Sequence, residues 1–270
     1  DAGGRALPAG HPQTNAVKGG KEDFMNYLTQ AQLDELKQFD SPTVYNAVDR
    51  FHLRPATQGF TRPGLTLRVP LEEPMVGYAV TARVSSMHPN PNAADNLVRY
   101  YESVARVPAP TVAVIQDMDT EPIGSFWGEV QATSHMALGC IGTITQGGVR
   151  DLNEAGPLGF YFFSTQVMVA RGYTHVDAWD CPVEVCGLTI HPGDLIHADK
   201  HGAVVIPSEI ADQVAGACRA AQQAELAVLK LLTGGIDGAV KGAAVRPQPL
   251  EEAFPMKKAG LLAEVDLGKA

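Results

Sequence analysis

Two short segments of the sequence combine charged residues with glycine. In QGGVRDLNEAG, Arg150, Asp151 and Glu154 follow a double-glycine turn. An arginine offers a planar fork to a carboxylate or enolate oxygen, and an aspartate offers hard oxygen ligands to Mg²⁺ or Mn²⁺. In SFWGEVQAT, Gly128 allows a tight turn and Glu129 begins a helical pattern. Taken alone, an Arg-Asp pair at a helix start is an ordinary surface feature in which the carboxylate favours the helix dipole.

The spacing of the two segments predicts that they meet. Twenty residues separate Glu129 from Arg150, which suits one helix followed by one buried strand. Loops after neighbouring strands of an α/β sheet share one edge, where ligands bind. The first N–H groups of the helix, at Val130 and Gln131, could hold a carboxylate there. We therefore predict a metal and oxyanion site formed by Glu129, Arg150 and Asp151, because adjacent carboxylates repel each other without a nearby cation.

Strand and helix patterns alternate around these segments. Residues 75–86 and 111–117 are rich in β-branched residues and predict strands, with a helix between them. Residues 128–139 predict a helix that ends at Gly139, and residues 141–148 predict a buried strand. A strand, a helix and a strand within about 35 residues form a βαβ unit, which crosses over right-handedly.

Helices are also predicted at both ends of this region. The first begins near Phe24, on the helical spacing of leucines from Leu28 onward. The second has Ser41 as its N-cap and Pro42 at its first helical position. A long helix is predicted over residues 208–232, directly after a proline.

The domain organisation follows from these patterns. Residues 23–240 predict a single three-layer α/β domain, in which short strands and Gly, Pro and Asp turns follow the βαβ unit. Residues 1–22 lack the basic start and apolar core of a signal peptide, and we interpret them as a disordered or cloning-derived leader. Residues 241–270 are interpreted as a C-terminal extension.

The charge and cysteine content exclude some classes of protein. The formal net charge of −9 repels phosphate backbones and anionic lipids, so we expect no nucleic acid or membrane partner. No run approaches the roughly 20 apolar residues that span a bilayer. The four cysteines are too sparse for a disulfide scaffold, and we expect reduced thiols in a cytoplasmic protein. An anionic substrate would need a local positive group.

Several histidines and one tryptophan lie near these motifs. His197 and His201 have the spacing of helical metal ligands, but neighbouring Gly and Pro residues indicate strand and turn, where that spacing separates the rings. His135 could face the cleft, although a lone helical histidine is more often packed or exposed to solvent. Trp127 could form a wall of the substrate site or serve as a packing anchor.

The segment GEVQATSHMALGCIGTITQGGVRDLNEA, followed by HPGDLIHADKHGAVVIP, resembles the RraA-like family over roughly residues 40–235. This family includes 4-hydroxy-4-methyl-2-oxoglutarate/4-carboxy-4-hydroxy-2-oxoadipate aldolases. The resemblance implies a swivelling β/β/α fold, homotrimers or dimers of trimers, and active sites between adjacent subunits.

The aldolases of this family share a pattern of Gly, three residues, Asp, twenty residues, Arg-Asp, two residues and an acid. The second half is intact here as Arg150, Asp151 and Glu154. In the first half, Ser125 replaces the glycine and Glu129 replaces the aspartate. Glutamate keeps the charge and the oxygen ligands but extends the carboxylate by one methylene. We expect the serine to matter little unless the loop needs a positive φ.

The resemblance also implies the roles of the site residues. Asp151 would ligate Mg²⁺ or Mn²⁺ directly, and Glu129 would hold a metal-bound water. Arg150 would contact the 2-oxo oxygen of the substrate, while N–H groups around Gly128, Val130 and Gln131 would take its carboxylate. Glu225, from a neighbouring subunit, is the candidate for a further acid near the metal.

The expected function is a metal-dependent lyase that cleaves a carbon–carbon bond of short 2-oxo acids through a pyruvate enolate. Both retro-aldol cleavage of a 4-hydroxy-2-oxo acid and decarboxylation of oxaloacetate pass through that enolate. One alternative is a non-catalytic regulatory binding protein, which some relatives are. Another is a different reaction on a hydroxy acid or sugar acid at the same metal site.

Overall fold

A computed structural model describes residues 27–233. The leader at 1–22, the extension at 241–270 and the helix start near Phe24 lie outside the described residues. Within them, the helices are α1 (Gln30–Leu36), α2 (Ser41–Asp49), α3 (Ala93–Val104), α4 (Glu129–Ala137), α5 (Leu152–Ala155) and α6 (Ala211–Leu232). The strands are β1 (Thr66–Leu67), β2 (Met75–Ser85), β3 (Thr111–Asp117), β4 (Cys140–Val149), β5 (Tyr161–Val167), β6 (His175–Trp179), β7 (Val183–Val185), β8 (Leu188–Ile190), β9 (Leu195–Asp199) and β10 (Gly202–Ile206).

The larger sheet has the strand order β1-β5-β4-β3-β2-β9-β10, with β6 also paired to β2. Strands β2 to β5 run parallel, and the remaining pairings are antiparallel. Along one edge of β2, residues 75–78 pair with β9 and residues 82–85 pair with β6. The result is a nearly closed, barrel-like mixed sheet.

Two apolar layers cover the faces of this sheet. The β7-β8 hairpin packs on one face, where its side chains share a core with residues such as Val114 and Ile144. Helices cover the other face: α1, α2 and α6 share one core, and α3 and α4 share another. This arrangement is the three-layer β/β/α domain that the sequence predicted.

The start of α2 differs from the sequence prediction. Asp40 is the N-cap, because its carboxylate accepts a hydrogen bond of 2.9 Å from the Thr43 N–H. Ser41 is the first helical residue, and Pro42 therefore occupies the second position. The Ser41 hydroxyl instead lies 2.9 Å from Nδ1 of the buried His197. The predicted cap was wrong by one residue, since aspartate and serine are both good N-caps.

Two other elements differ in their extent. Helix α1 begins later than the leucine spacing suggested, because Thr29 and Gln32 form a capping box and Leu28 precedes it. The long C-terminal helix begins with a 3₁₀ turn at Ser208–Ile210 before the α-helix. No helix within residues 27–233 is long and apolar enough to cross a membrane.

Strand β6 was missing from the sequence prediction. It pairs with the second half of β2, across a register shift between Arg83 and Val84. Two of its polar side chains contact each other within the strand, where His175 Nε2 lies 3.0 Å from Asp177 Oδ1. A short strand with alternating polar residues gives a weak signal when its pairing partner is about 90 residues away in the chain.

Candidate functional site

The candidate site lies where β3 and β4 end. These strands are parallel neighbours, so the loop before α4 and the loop after β4 leave the sheet at the same edge. Trp127 pairs with Val149 in a parallel bridge, and the Arg150 N–H donates to the Trp127 carbonyl over 3.2 Å. The structure therefore places Gly128 and Glu129 directly beside Arg150 and Asp151.

Asp151 has an unusual backbone conformation for a residue with a side chain. Its φ of 57° and ψ of 41° are left-handed, and it occupies the N-cap position of α5 without a side-chain cap bond to that helix. The carboxylate is directed to a different helix: Oδ2 accepts from the Glu129 N–H, the first amide of α4, over 3.2 Å. The positive end of the α4 dipole therefore stabilises the negative charge of Asp151.

Gly128 permits this contact. A Cβ atom on Gly128 would lie 2.3 Å from Asp151 Oδ2, far inside van der Waals distance. Its backbone is extended, with φ of −168°. The expectation of a tight turn at this glycine was therefore wrong, because the structure needs glycine for the close approach of the carboxylate.

Arg150 lies beside the same carboxylate without a close ion pair. Its Nε is 3.7 Å from Asp151 Oδ2, and its side chain is 38% exposed. No hydrogen bond of the guanidinium to another described residue is present. An exposed ion pair at this distance is weak, and Asp151 therefore does not engage the guanidinium strongly. The planar fork of Arg150 is available to a ligand.

The first turn of α4 presents further donors. Gly128 provides no side-chain cap, so the first amides of the helix, including those of Val130 and Gln131, have no intrahelical carbonyl partner. The Val130 side chain is 76% exposed. The Gln131 side chain points toward α3, where its Oε1 accepts from the Tyr101 hydroxyl over 2.6 Å. The helix start is therefore open to an anion.

The donor set of one chain fits a divalent ion only in part. Within residues 27–233 no three His, Cys, Asp or Glu side chains form a group that could hold a metal. Asp151 and Glu129 are hard oxygen donors, and the Asp151 carboxylate is about one-third exposed with one hydrogen-bond donor on Oδ2. Mg²⁺ is commonly bound by one or two carboxylates and several waters, so this pair is chemically suitable.

Glu154 and Glu225 are the other two acids that the sequence proposed for the site, and both are exposed. Glu154 follows Asp151 in the single turn of α5. Glu225 lies in the C-terminal half of α6, and α6 packs against α1 and α2. In the described chain neither joins Asp151 in a metal-binding group. The expectation for Glu225 concerns a second subunit and stays a prediction.

Trp127 and His135 lie beneath the site and do not line it. Their side chains are 1% and 0% exposed, and their ring centroids are 4.5 Å apart. His135 Nδ1 lies 2.7 Å from the Gln131 carbonyl and Nε2 lies 3.0 Å from the Tyr100 hydroxyl, an arrangement that suits a neutral ring. Burial lowers the pKa of His135 to about 4. Both residues are packing anchors of α4.

Asp117 is a buried acid that the sequence reasoning missed. It is the last residue of β3 and is 6% exposed. Its Oδ1 accepts from the Asp119 N–H over 3.0 Å, and a Cβ atom on Gly147 would lie 2.7 Å from its Oδ2. Burial raises its pKa to about 6. The signal in the sequence was an acid at the end of a buried strand, whereas its closeness to Gly147 depends on the fold.

Ser125 is a second buried polar residue at this edge of the sheet. The side chain is 2% exposed, and its hydroxyl contacts the carbonyls of Trp127 and Gly148. The serine therefore connects the loop before α4 with the end of β4. The expectation that the serine matters little considered only its backbone conformation and not these contacts of the hydroxyl, and it stays a prediction.

Fold and site together define an α/β domain with an arginine, two carboxylates and an open helix start at one sheet edge. The chain matches the model of the RraA-like family, described as Aldolase/RraA, over residues 41–205. It belongs to this family.

Two curated relatives have low identity to the chain. Protein DlpA of Legionella pneumophila is 29% identical over 155 residues, which are 56% of this chain and only 25% of DlpA. A protein of Halalkalibacterium halodurans named "Putative 4-hydroxy-4-methyl-2-oxoglutarate aldolase" is 28% identical over 187 residues, covering 67% of this chain and 80% of that protein. The chain therefore spans most of the second relative but about a quarter of the first.

Solved structures share the fold. An uncharacterized protein from Pseudomonas syringae has a TM-score of 0.60 and 26% identity, with 80% of this chain and 98% of that chain covered. Streptomyces coelicolor RraAS2, described as an unusual member of the RNase ES inhibitor RraA protein family, has a TM-score of 0.60 and 22% identity. The match covers 73% of this chain and 95% of RraAS2, and at this identity it supports the fold alone.

The contact between Gly128 and Asp151 predicts the effect of adding one methyl group. Gly128→Ala should displace the Asp151 carboxylate from the α4 amide and weaken Mn²⁺ binding by roughly tenfold or more, as for other changes that misorient a ligand. Gly156→Ala is the matched control, since its Cβ would meet only Val69 at 3.7 Å and its backbone is helical. Calorimetric titration with Mn²⁺ compares the two variants. Equal affinity in both would contradict the close-approach argument.

Two of the buried titratable groups, His135 and Asp117, predict opposite pH effects on stability. The folded-state pKa of His135 lies below the ordinary value of 6.5, so its contribution to stability is lost as pH falls from about 6.5 toward 4. The folded-state pKa of Asp117 lies above 3.8, so its contribution is lost as pH rises from about 4 to 6. Each slope is at most about 1.4 kcal/mol per pH unit.

Removing each group should therefore tilt the profile of unfolding free energy in opposite directions. Between pH 4 and 6.5, stability should rise less steeply with pH in His135→Gln than in the wild type, and more steeply in Asp117→Asn. Urea unfolding at several pH values measures this difference. His191→Gln serves as the control, because the His191 side chain is 61% exposed. Parallel profiles for all four proteins would refute the assigned directions.

Proposed function

We propose that this protein is a divalent-metal-dependent lyase that cleaves a carbon–carbon bond of short 2-oxo acids. The reaction is retro-aldol cleavage of a 4-hydroxy-2-oxo acid, decarboxylation of oxaloacetate, or both. The observation that carries the proposal is the Arg150 guanidinium beside an Asp151 carboxylate that is held at the start of α4. Family membership and the name of the Halalkalibacterium halodurans relative support the same activity.

The substrate's anionic end fits the open helix start. The protein has a formal net charge of −9, so an oxo acid is repelled at long range and needs a local positive site. The amides of Val130 and Gln131 would take the carboxylate, with the backbone of Gly128 leaving room beside them. Arg150 would then face the 2-oxo oxygen, since its guanidinium lies at the adjacent loop.

Asp151 would hold a Mg²⁺ or Mn²⁺ ion directly, and Glu129 would hold it through water. Glu225 of the partner subunit is the proposed additional acid. The bound ion would supply Lewis-acid charge close to the oxygen on which negative charge develops. The replacement of aspartate by Glu129 leaves the charge of this donor set unchanged.

The chemical work of Arg150 is to stabilise the enolate. When the C3–C4 bond breaks, its electron pair moves into the pyruvate fragment and negative charge accumulates on the 2-oxo oxygen. Two N–H donors of a planar guanidinium can follow this charge without rearrangement, and such preorganised donors lower a barrier by several kcal/mol. The same stabilisation serves both reactions, because both give the pyruvate enolate.

The direct test of the function is release of pyruvate. Oxaloacetate and 4-hydroxy-2-oxo acids are incubated with the protein and Mg²⁺, Mn²⁺ or EDTA. We expect pyruvate with either metal, no pyruvate with EDTA, and a loss of activity in Asp151→Ala with an unchanged fold, because this partly exposed acid buries little apolar area. Absence of metal-dependent turnover would favour the regulatory binding protein. Full activity of Asp151→Ala would place the site elsewhere.

The second test concerns the shape of the positive group. Arg150→Lys keeps the charge, but one ammonium cannot reproduce the planar fork. Turnover should fall by ~10²–10³, the usual cost of losing a donor aimed at a developing oxyanion. Steady-state kinetics separate the possibilities, with Arg150→Ala as the companion variant. Nearly full kcat with only a raised KM would make Arg150 a substrate-binding charge and not the enolate stabiliser.

We also propose a cytoplasmic homotrimer or dimer of trimers, with each site completed by the partner subunit. Exposed leucines in the C-terminal part of α6 support assembly, because a neighbouring subunit could bury them. They are Leu226, Leu229 and Leu232. Mass measurement in solution at micromolar concentration should give a trimer or hexamer. Dilution should lower activity together with oligomer content. A monomer at every concentration would contradict this prediction.

A further inference from the structure

One buried hydroxyl joins the chain segments that form the candidate site. Ser125 Oγ lies 2.6 Å from the Trp127 carbonyl and 2.7 Å from the Gly148 carbonyl, and it accepts from the Trp127 N–H over 3.2 Å. The Ser125 N–H donates to the Ala170 carbonyl over 2.9 Å, in the segment after β5. The side chain of this residue, which is 2% exposed, thus joins the loop before α4 to the end of β4, and its backbone N–H adds a bond to the segment after β5.

These contacts lie one or two residues from the functional groups. Trp127 directly precedes Gly128, which leaves room for the Asp151 carboxylate. Gly148 precedes Arg150 by two residues, and the Trp127 carbonyl also accepts from the Arg150 N–H. A shift of either carbonyl therefore moves the amide of α4 relative to the carboxylate that it binds.

The Ser125 hydroxyl makes hydrogen bonds that the backbone at this position does not make. A serine hydroxyl has one hydrogen, so the carbonyls of Trp127 and Gly148 share it, while a lone pair receives the Trp127 N–H. Removing the hydroxyl leaves these buried polar groups without that hydrogen-bond partner. Because an unsatisfied buried polar group costs free energy, we expect the two segments to shift so that the groups find other partners. A glycine, which stands here in the family's aldolase pattern, could supply none of these bonds.

We propose that Ser125 is a positioning residue that fixes the loop before α4 against the end of β4. Its hydroxyl sets the distance between the first amides of α4 and the Arg150-Asp151 pair. This inference rests on the proposed function for its catalytic consequence. Its structural consequence, the geometry of the Asp151 carboxylate, is measured separately through the affinity for Mn²⁺ alone.

The test uses Ser125→Ala together with Ser125→Cys, which keeps more of the side-chain volume but has only a weak donor. We expect Mn²⁺ affinity and kcat for pyruvate release each to fall 10- to 100-fold, the usual range for residues that orient a metal ligand. Ser103→Ala is the matched control. Ser103 is 4% exposed, and its hydroxyl donates to the Tyr100 carbonyl over 2.9 Å within α3.

Measurements are made on the full chain well below its melting temperature, so that a merely structural role lowers the melting temperature without changing Mn²⁺ affinity. Wild-type Mn²⁺ affinity in both folded Ser125 variants would overturn the positioning role. An equal loss in Ser103→Ala would overturn it as well. If the wild type binds Mn²⁺ but releases no pyruvate, the proposed function fails, while the metal affinities still decide the role of Ser125. A wild type that does neither overturns both.

Discussion

The Asp151 carboxylate at the first amide of α4 is the interaction on which the candidate site depends. An acid in a left-handed backbone conformation is turned away from its own helix and toward the neighbouring one. The contact is possible only because Gly128 has no side chain at that point. It links the ends of β3 and β4 through their loops, and it leaves Arg150 beside a fixed negative charge.

Electrostatics explain why such a site is built at a helix start. The whole protein is acidic, so binding an anionic substrate requires a concentrated local field of opposite sign. Uncapped amides of α4 and the guanidinium of Arg150 provide fixed positive groups that need no reorganisation. The carboxylates of Asp151 and Glu129 are hard oxygen donors beside these groups, and a divalent ion therefore belongs to the proposed chemistry.

The layer beneath the site consists of buried side chains that are closely packed or hydrogen-bonded. Trp127 and His135 fill the space between α4 and the sheet, and Ser125 and Asp117 satisfy loop amides and carbonyls at the strand ends. Burial keeps His135 neutral at physiological pH and favours the protonated form of Asp117 more than water does. This rigid support suits a site whose donors must already be aligned before the reaction starts.

The sequence determined the order of elements and the meeting of the two charged segments. Hydrophobic runs and glycines located β2, β3, α4 and β4 closely, because buried parallel strands and amphipathic helices have strong periodic patterns. Parallel neighbours then had to bring Glu129 near Arg150-Asp151. The motif resemblance added the family, which the family model supports.

Only the tertiary structure decided how the individual side chains are used. Strand β6 forms only by pairing with an edge of β2 that is distant in the sequence. Asp40 and not the adjacent Ser41 is the N-cap of α2, and the Ser41 hydroxyl contacts His197 instead. The close approach at Gly128 and the shared hydroxyl of Ser125 involve atoms more than 20 residues apart. Local sequence cannot specify such contacts, because their distances are set by how strands and loops pack and not by propensity.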